Sequence, residues 1–382
     1  MSKKLIVIVL VLTLALCCLF GCSSNNAKGG DSESSVTITD SIGRTLTIEK
    51  AEKVVCIGAG ALRLYSYIGD MDKLCAVEEI EGSRTTGRIA LRAYQIANEE
   101  LFKNLIKEGK TAGAGGPQAQ NLSSVESLAE IEPDVVFSCL TTSVEELEAA
   151  ELAIGCPIVT LRYGADKAFS EEILNSIRIV GKVCGKEQRA EELTSYMQSL
   201  KNELAAFGSN ADTAKVYLAC NSNWGVKGFL SSAKNYPLFT VSGINNVLDG
   251  ENFIVSADGY ADLEAVVASG ADKIILDAGG LETFKGEYEE EGSNLPDALA
   301  AMDAFKNKEV YLIMPNNAYD ANVETYFINA FYAVNVAYGK NIDIEAKANE
   351  ITKQFLGKEM YDEIITYGGY QKLDLPDVWP SK

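Results

Sequence analysis

Glu187-Gln-Arg-Ala-Glu-Glu-Leu-Thr-Ser-Tyr-Met-Gln-Ser-Leu-Lys-Asn-Glu-Leu-Ala-Ala-Phe207 lies near the middle of a chain of 382 residues. Its apolar positions Ala190, Leu193, Met197, Leu200 and Leu204 recur at three and four residues, while Glu191, Glu192, Lys201 and Glu203 fall on other faces. That spacing defines one amphipathic helix. At the α-helical rise it spans roughly 31 Å, about the width of a small domain. Residues 36–165 before it and 213–367 after it read as two α/β lobes of similar size. The helix, set among connecting residues 166–212, is therefore expected to be a single spine joining them.

In the first lobe, Val36 to Ile48 reads as two alternating strands around a turn, a hairpin signal. Lys53-Val-Val-Cys-Ile57 is an apolar run suited to a buried parallel strand and feeds Gly58-Ala-Gly-Ala-Leu-Arg63 at a helix start. Leu74–Val77, Asp134–Phe137 and Pro157–Leu161 supply further strands, with helices near 124–131, 144–154 and 170–183. The second lobe repeats the plan with strands at Lys215–Ala219, Lys273–Asp277 and Glu309–Ile313, then helices at 322–338, 343–356 and 360–365. Strands alternating with helices imply two mainly parallel, doubly wound sheets. The tail 368–382, rich in proline and glycine, is expected to be loosely attached. A short internal match ties the lobes together: Ser124–Phe137 aligns with Asp262–Ile275, pairing Glu126 with Glu264 and Asp134 with Asp272.

The start of the chain carries an address. Lys3 and Lys4 precede an apolar run from Leu5 to Leu16, and Leu19-Phe-Gly-Cys22 closes it. Residues 1–21 read as a secretory signal, too short in its apolar run for a membrane-spanning helix. The stretch resembles a bacterial lipoprotein signal, in which Cys22 becomes the lipidated first residue. Residues 22–35 then form a flexible, serine- and glycine-rich tether, and the expected location is the extracytoplasmic face of the membrane.

With 34 Lys and Arg against 54 Asp and Glu, the formal net charge is −20, which repels nucleic acid. Histidine is absent, which excludes histidine-based zinc and haem ligation and any Ser-His-Asp or Cys-His catalytic set. The six cysteines after Cys22 are scattered and read as buried free thiols. The Gly58–Arg63 stretch begins like a dinucleotide fingerprint, but Arg63 stands at the third glycine position. No nucleophile-base set is readable, so no enzyme activity and no cofactor are expected.

Taken together, Cys22 and its signal, Thr39-Asp-Ser-Ile-Gly-Arg-Thr-Leu-Thr-Ile48, the Val54–Gly58 strand-turn, the two glutamate-led segments and the bridging helix resemble the iron-siderophore and vitamin B12 class of ABC-transporter substrate-binding lipoproteins. The resemblance covers about residues 36–367. It implies two doubly wound lobes joined by one long helix, a ligand cleft between them and little closure on binding. It also implies a monomer partnered by ABC permease subunits and a cytoplasmic ATPase, with Glu126 and Glu264 docking on the permease. The cargo it suggests is a metal chelate, most often a ferric siderophore; molybdate or tungstate, a corrinoid and haem are the alternatives, and a non-transport surface lipoprotein or enzyme the distant one.

Ligands of open α/β sheets lie beyond the carboxyl ends of the strands. That rule selects Gly58, Ala59, Gly60, Arg63, Gly115, Gly116, Arg162 and Tyr163 in the first lobe. In the second it selects Asn221, Trp224, Lys227, Asp277, Gly279, Asn317 and Tyr319. The glycines let backbone approach a ligand, and the arginines and aromatic rings suit an acidic, planar or chelated one. Arg84, Arg88 and Arg92 add further positive charge.

Overall fold

The computed structural model describes residues 35–82, 92–116, 122, 125–208, 214–222, 225, 227–250, 253–365 and 369–375. The expected signal, Cys22 and nearly all of the tether lie outside them, as do Arg84, Arg88 and Trp224. Among the described residues no helix is long and apolar enough to cross a membrane.

Strands β1 (Val36–Thr39) and β2 (Thr45–Ile48) pair antiparallel as the expected hairpin. Its turn is closed by Asp40, which accepts from the amides of Ile42 and Arg44 and from the Arg44 guanidinium. The first lobe then runs β3 (Val54–Ile57), α1 (Ala61–Ile68), β4 (Leu74–Ala76), α2 (Ala93–Ala97), α3 (Glu99–Lys107), α4 (Val125–Ile131), β5 (Val135–Ser138), α5 (Val144–Ile154) and β6 (Ile158–Thr160). All four strands of this β4-β3-β5-β6 sheet are parallel. Val54, Val55, Cys56 and Ile57 are all buried, as a strand covered on both faces requires.

Helices α6 (Glu171–Val183) and α7 (Glu187–Gly208) lead into the second lobe. There β7 (Lys215–Ala219), α8 (Pro237–Ser242), β8 (Asn245–Asn246), α9 (Leu263–Ala268), β9 (Lys273–Asp277), α10 (Leu281–Glu289), α11 (Leu295–Ala301), α12 (Asp303–Lys306) and β10 (Val310–Ile313) follow. The chain ends in α13 (Val323–Tyr338), α14 (Ile344–Leu356), α15 (Tyr361–Ile364) and β11 (Gln371–Leu373). The sheet order is β11-β10-β9-β7-β8, parallel except for β11. Setting β11 aside, each lobe places its second strand outside its first and its third and fourth on the other side. The two lobes are one topology used twice.

The aligned aspartates show why the match in sequence is a match in structure. Asp134, just before β5, accepts from the Lys53 amide at 2.8 Å and returns its own amide to the Lys53 carbonyl at 2.8 Å. Asp272, just before β9, makes the same pair with Lys215, both at 2.8 Å. Each aspartate ties the start of its lobe's third strand to the start of the first.

Two expectations change. The α7 helix forms with its five predicted apolar residues buried, and it packs on α6 of the first lobe and on α8 and α13 of the second. The structure does not leave it as a lone link, because α14 runs back over α1 and α2, and α15 over α2. One hydrophobic core consequently extends from Ile38 to Ile364 through both lobes. The tail is also more ordered than its composition implied: Gln371–Leu373 pairs antiparallel with β10. Leu373 is buried while Gln371 and Lys372 face out, so the strand covers an otherwise open sheet edge.

Candidate ligand cleft

At the carboxyl end of β3 the chain turns through Gly58, Ala59 and Gly60 into α1. Gly60 has φ of +94°, and a Cβ there would lie 2.5 Å from the Tyr163 ring. The missing side chain lets Tyr163 close over the turn and donate to the Gly60 carbonyl at 3.0 Å. One helical turn later stands Arg63, fully buried at 0% exposure. Its guanidinium donates to Tyr163 Oη at 3.1 Å, and to the Ala318 carbonyl, the Tyr319 carbonyl and Asn322 Oδ1 at 2.7, 3.1 and 2.8 Å. It also lies 4.9 Å over the Tyr94 ring. Three of these oxygens come from the second lobe, so Arg63 spans the interface rather than facing open cleft.

A second bridge runs beside it. Glu78, directly after β4, accepts from the Gly58 amide at 3.1 Å and from the Tyr319 hydroxyl at 2.6 Å. Glu81 holds Arg92 and Tyr94 at 2.9 and 2.7 Å, and the Arg92 guanidinium sits 5.9 Å from the Tyr319 ring. Lys167 pairs with Asp320 at 3.0 Å, and Tyr67 of α1 donates to the buried Glu324 of α13. Gly115 packs a missing Cβ against Ile80 and Glu78, with Gly116 beside it. Arg162 turns toward the Leu140 and Leu161 carbonyls, and Ala59 is half-buried.

In the second lobe Asp277, at the end of β9, accepts from the amides of Gly279 and Ser222 at 2.8 and 3.2 Å. Asn317 donates to the Ser222 carbonyl at 3.0 Å, and Asn221 bonds Ser231 through both its amide and its carbonyl. Lys227 is directed away from this group, to the Asp258 carbonyl and the face of Tyr260. The structure thus gathers Gly58, Gly60, Arg63, Gly115, Tyr163 and Tyr319 into one interlobe cluster, with Asn221, Asp277, Gly279 and Asn317 in a neighbouring one.

Glu78, Glu81, Tyr94, Lys167, Asp320, Asn322 and Glu324 were not singled out from the sequence. The signal for Glu78 was present: it follows the apolar run Leu74–Val77, and the strand-end rule applied to β4 selects it as readily as Gly58. The turns expected to offer amides to an anion already bind carboxylates of the chain itself, Glu78 in one lobe and Asp277 in the other. Among the described residues no cluster of His, Cys, Asp and Glu is suited to hold a bare metal ion.

A family model of periplasmic binding proteins matches residues 103–317, more than half of the chain. The chain belongs to the periplasmic binding protein family: it is an extracytoplasmic solute-binding component of an ABC transporter, working with a permease and its ATPase. Among solved structures, a periplasmic solute-binding protein of Veillonella parvula is 18% identical with a TM-score of 0.62, covering 87% of this chain and 96% of its own. The molybdate-bound binding protein MolA of Haemophilus influenzae is 16% identical with a TM-score of 0.58, covering 85% and 98%. The catecholate-siderophore binding protein VctP of Vibrio cholerae is 17% identical with a TM-score of 0.50, covering 78% and 99%. A comparison with curated proteins finds no match.

Burial pushes Glu78 up from an ordinary 4.5 to about 7, against the downward pull of its Tyr319 and Gly58 hydrogen bonds. A carboxyl raised on folding stabilises fully below its unfolded pKa, and that contribution is lost as pH rises through the folded value. Glu78→Gln should therefore gain on the wild type between pH 5 and 8, by about 3 kcal/mol at most. Asp277, raised by burial to about 6, is common to both proteins and cancels. Urea unfolding at the two pH values checks this; a difference that does not grow with pH refutes the buried carboxylate.

Proposed function

We propose that this protein is a lipid-anchored receptor that captures a ferric chelate of the siderophore type and delivers it to its ABC permease. The observation that carries the cargo class is the make-up of the cleft. Arg63, Arg92 and Lys167, each engaged by the chain's own groups in this structure, lie among the rings of Tyr94, Tyr163 and Tyr319, a mixture that would suit planar or acidic chelating groups once the lobes part. The Gly58 and Gly279 amides, which would serve a bare oxyanion, meet Glu78 and Asp277 instead. This argues against tungstate and against molybdate, which the Haemophilus neighbour binds. The absence of histidine argues against haem and bare transition-metal ions held through imidazole. Cys22 as the lipidated residue, a monomeric state and no cofactor of its own belong to the same reading.

Thermal unfolding of the protein from Ser23 to Lys382 against ferric tris-catecholates, ferric trihydroxamates, haem, cobalamin, molybdate and tungstate tests the cargo. A ligand at 100 times its dissociation constant stabilises by about 2.7 kcal/mol. Stabilisation by a ferric chelate is expected; stabilisation by oxyanions alone, or by none of the panel, contradicts the reading.

Glu126 and Glu264 are proposed as the permease contacts. Both are exposed in the first turns of α4 and α9, the helices that precede the third strand of each lobe. Crossover helices run antiparallel to their strands, which puts these turns on the side of the strand ends that form the cleft. Replacing both by alanine should impair uptake while leaving cargo affinity unchanged; an equal loss of affinity would refute the docking role.

A further inference from the structure

We propose that the loop Pro315–Asn322 is a built-in occupant of the cleft that competes with cargo for Glu78 and Arg63. This rests on the cleft being the cargo site. In this structure the loop gives the first lobe ligand-like groups: one phenol donor for Glu78 and three oxygens for Arg63. Glu78 and Arg63 are 5% and 0% exposed, so each loses buried hydrogen-bond partners when the loop leaves. Both lie at carboxyl ends of parallel strands, where this architecture places ligands.

The loop is built for its position rather than for its own comfort. Tyr319 and Asp320 have φ of +54° and +65°, the left-handed region that side chains other than glycine seldom adopt. It is braced by the Ala318 amide on the Asp320 carbonyl at 3.1 Å, by the Asn317–Ala321 bridge and by the Lys167–Asp320 ion pair. Of these braces only Lys167 comes from outside the loop. When the lobes part, Tyr319 leaves Glu78, Asp320 leaves Lys167 and the loop oxygens leave Arg63, while the braces within the loop and the Asn317–Ser222 bond remain.

The competition names the chemistry of a cargo able to displace the loop. It must present a hydroxyl or N–H donor to Glu78 and, close beside it, two or more carbonyl or anionic oxygens to Arg63. A bare tetrahedral oxyanion supplies acceptors without the donor. A chelate carrying hydroxyl or amide N–H groups next to oxygen ligands supplies both.

Two readouts test this with Tyr319→Phe, which removes only the hydroxyl, and Tyr319→Gly, which removes the ring and relieves the backbone. The first is the distance between spin labels at Leu152→Cys and Ile254→Cys, which are 87% and 82% exposed in the first and second lobes. Without chelate, both variants should show a longer, broader distribution than the wild type while keeping its circular dichroism. The second is affinity for a ferric tris(catecholamide), whose amide N–H groups lie beside the iron-bound oxygens; it should tighten about tenfold in Tyr319→Phe because more of the protein is open to cargo. Weaker affinity would make Tyr319 a direct cargo contact and overturn the competition; so would unchanged distances in both variants. Longer distances with no chelate bound by any form would uphold the latch and remove the cargo reading instead.

Discussion

Arg63 carries a positive charge at a position closed to water, and the interface between the lobes is arranged around satisfying it. A buried charge is tolerated only when paired or fully hydrogen-bonded. Here the compensation comes from main-chain carbonyls of Ala318 and Tyr319, from Asn322 and from Tyr163, with the Tyr94 ring beneath. Several local features follow from this need. Gly60 lacks a side chain where Tyr163 must close in, and the 317–321 loop accepts left-handed backbone to bring two carbonyls together. A receptor whose lobes are joined through such a group has its cleft chemistry and its interlobe contacts in the same residues.

The lobes themselves rest on a simpler constraint. Each has four parallel strands in the same order, and each closes its first and third strands with an aspartate-to-backbone pair of the same geometry. This duplication sets the carboxyl ends of two equivalent sheets toward one another and places Glu126 and Glu264 at equivalent helix starts. The helices α7, α13, α14 and α15 then bind the halves into one core. That breadth of packing, rather than the stiffness of one spine, limits how far the lobes can separate.

Much of this plan is legible in residue order because it is local. The buried strands are short apolar runs, α7 announces itself by the spacing of Ala190, Leu193, Met197, Leu200 and Leu204, and the repeated Glu126 and Asp134 pattern exposes the duplication. What could not be read there is long-range pairing. Nothing near Arg63 in sequence shows that three of its hydrogen-bond partners lie more than 250 residues away, so it reads as a group offered to ligand. Glu78 sits in a run with Glu79 and Glu81 that resembles a solvated acidic turn; burial of Glu78 against Gly58 and Tyr319, and of Glu81 against Arg92 and Tyr94, leaves only Glu79 of the three exposed. The tail strand was hidden for the same reason, since its three residues pair across the sheet with β10 and carry no alternating run of their own length.

If cargo enters between the lobes at the strand ends, it replaces their mutual contacts. Hydrogen exchange along the whole chain, with and without saturating ferric tris-catecholate, tests it most directly. Altered exchange is expected to concentrate in Gly58–Arg63, Glu78–Gly82, Gly113–Gly116 and Asn316–Asn322. Unchanged exchange in all four segments while the chelate is demonstrably bound would contradict it.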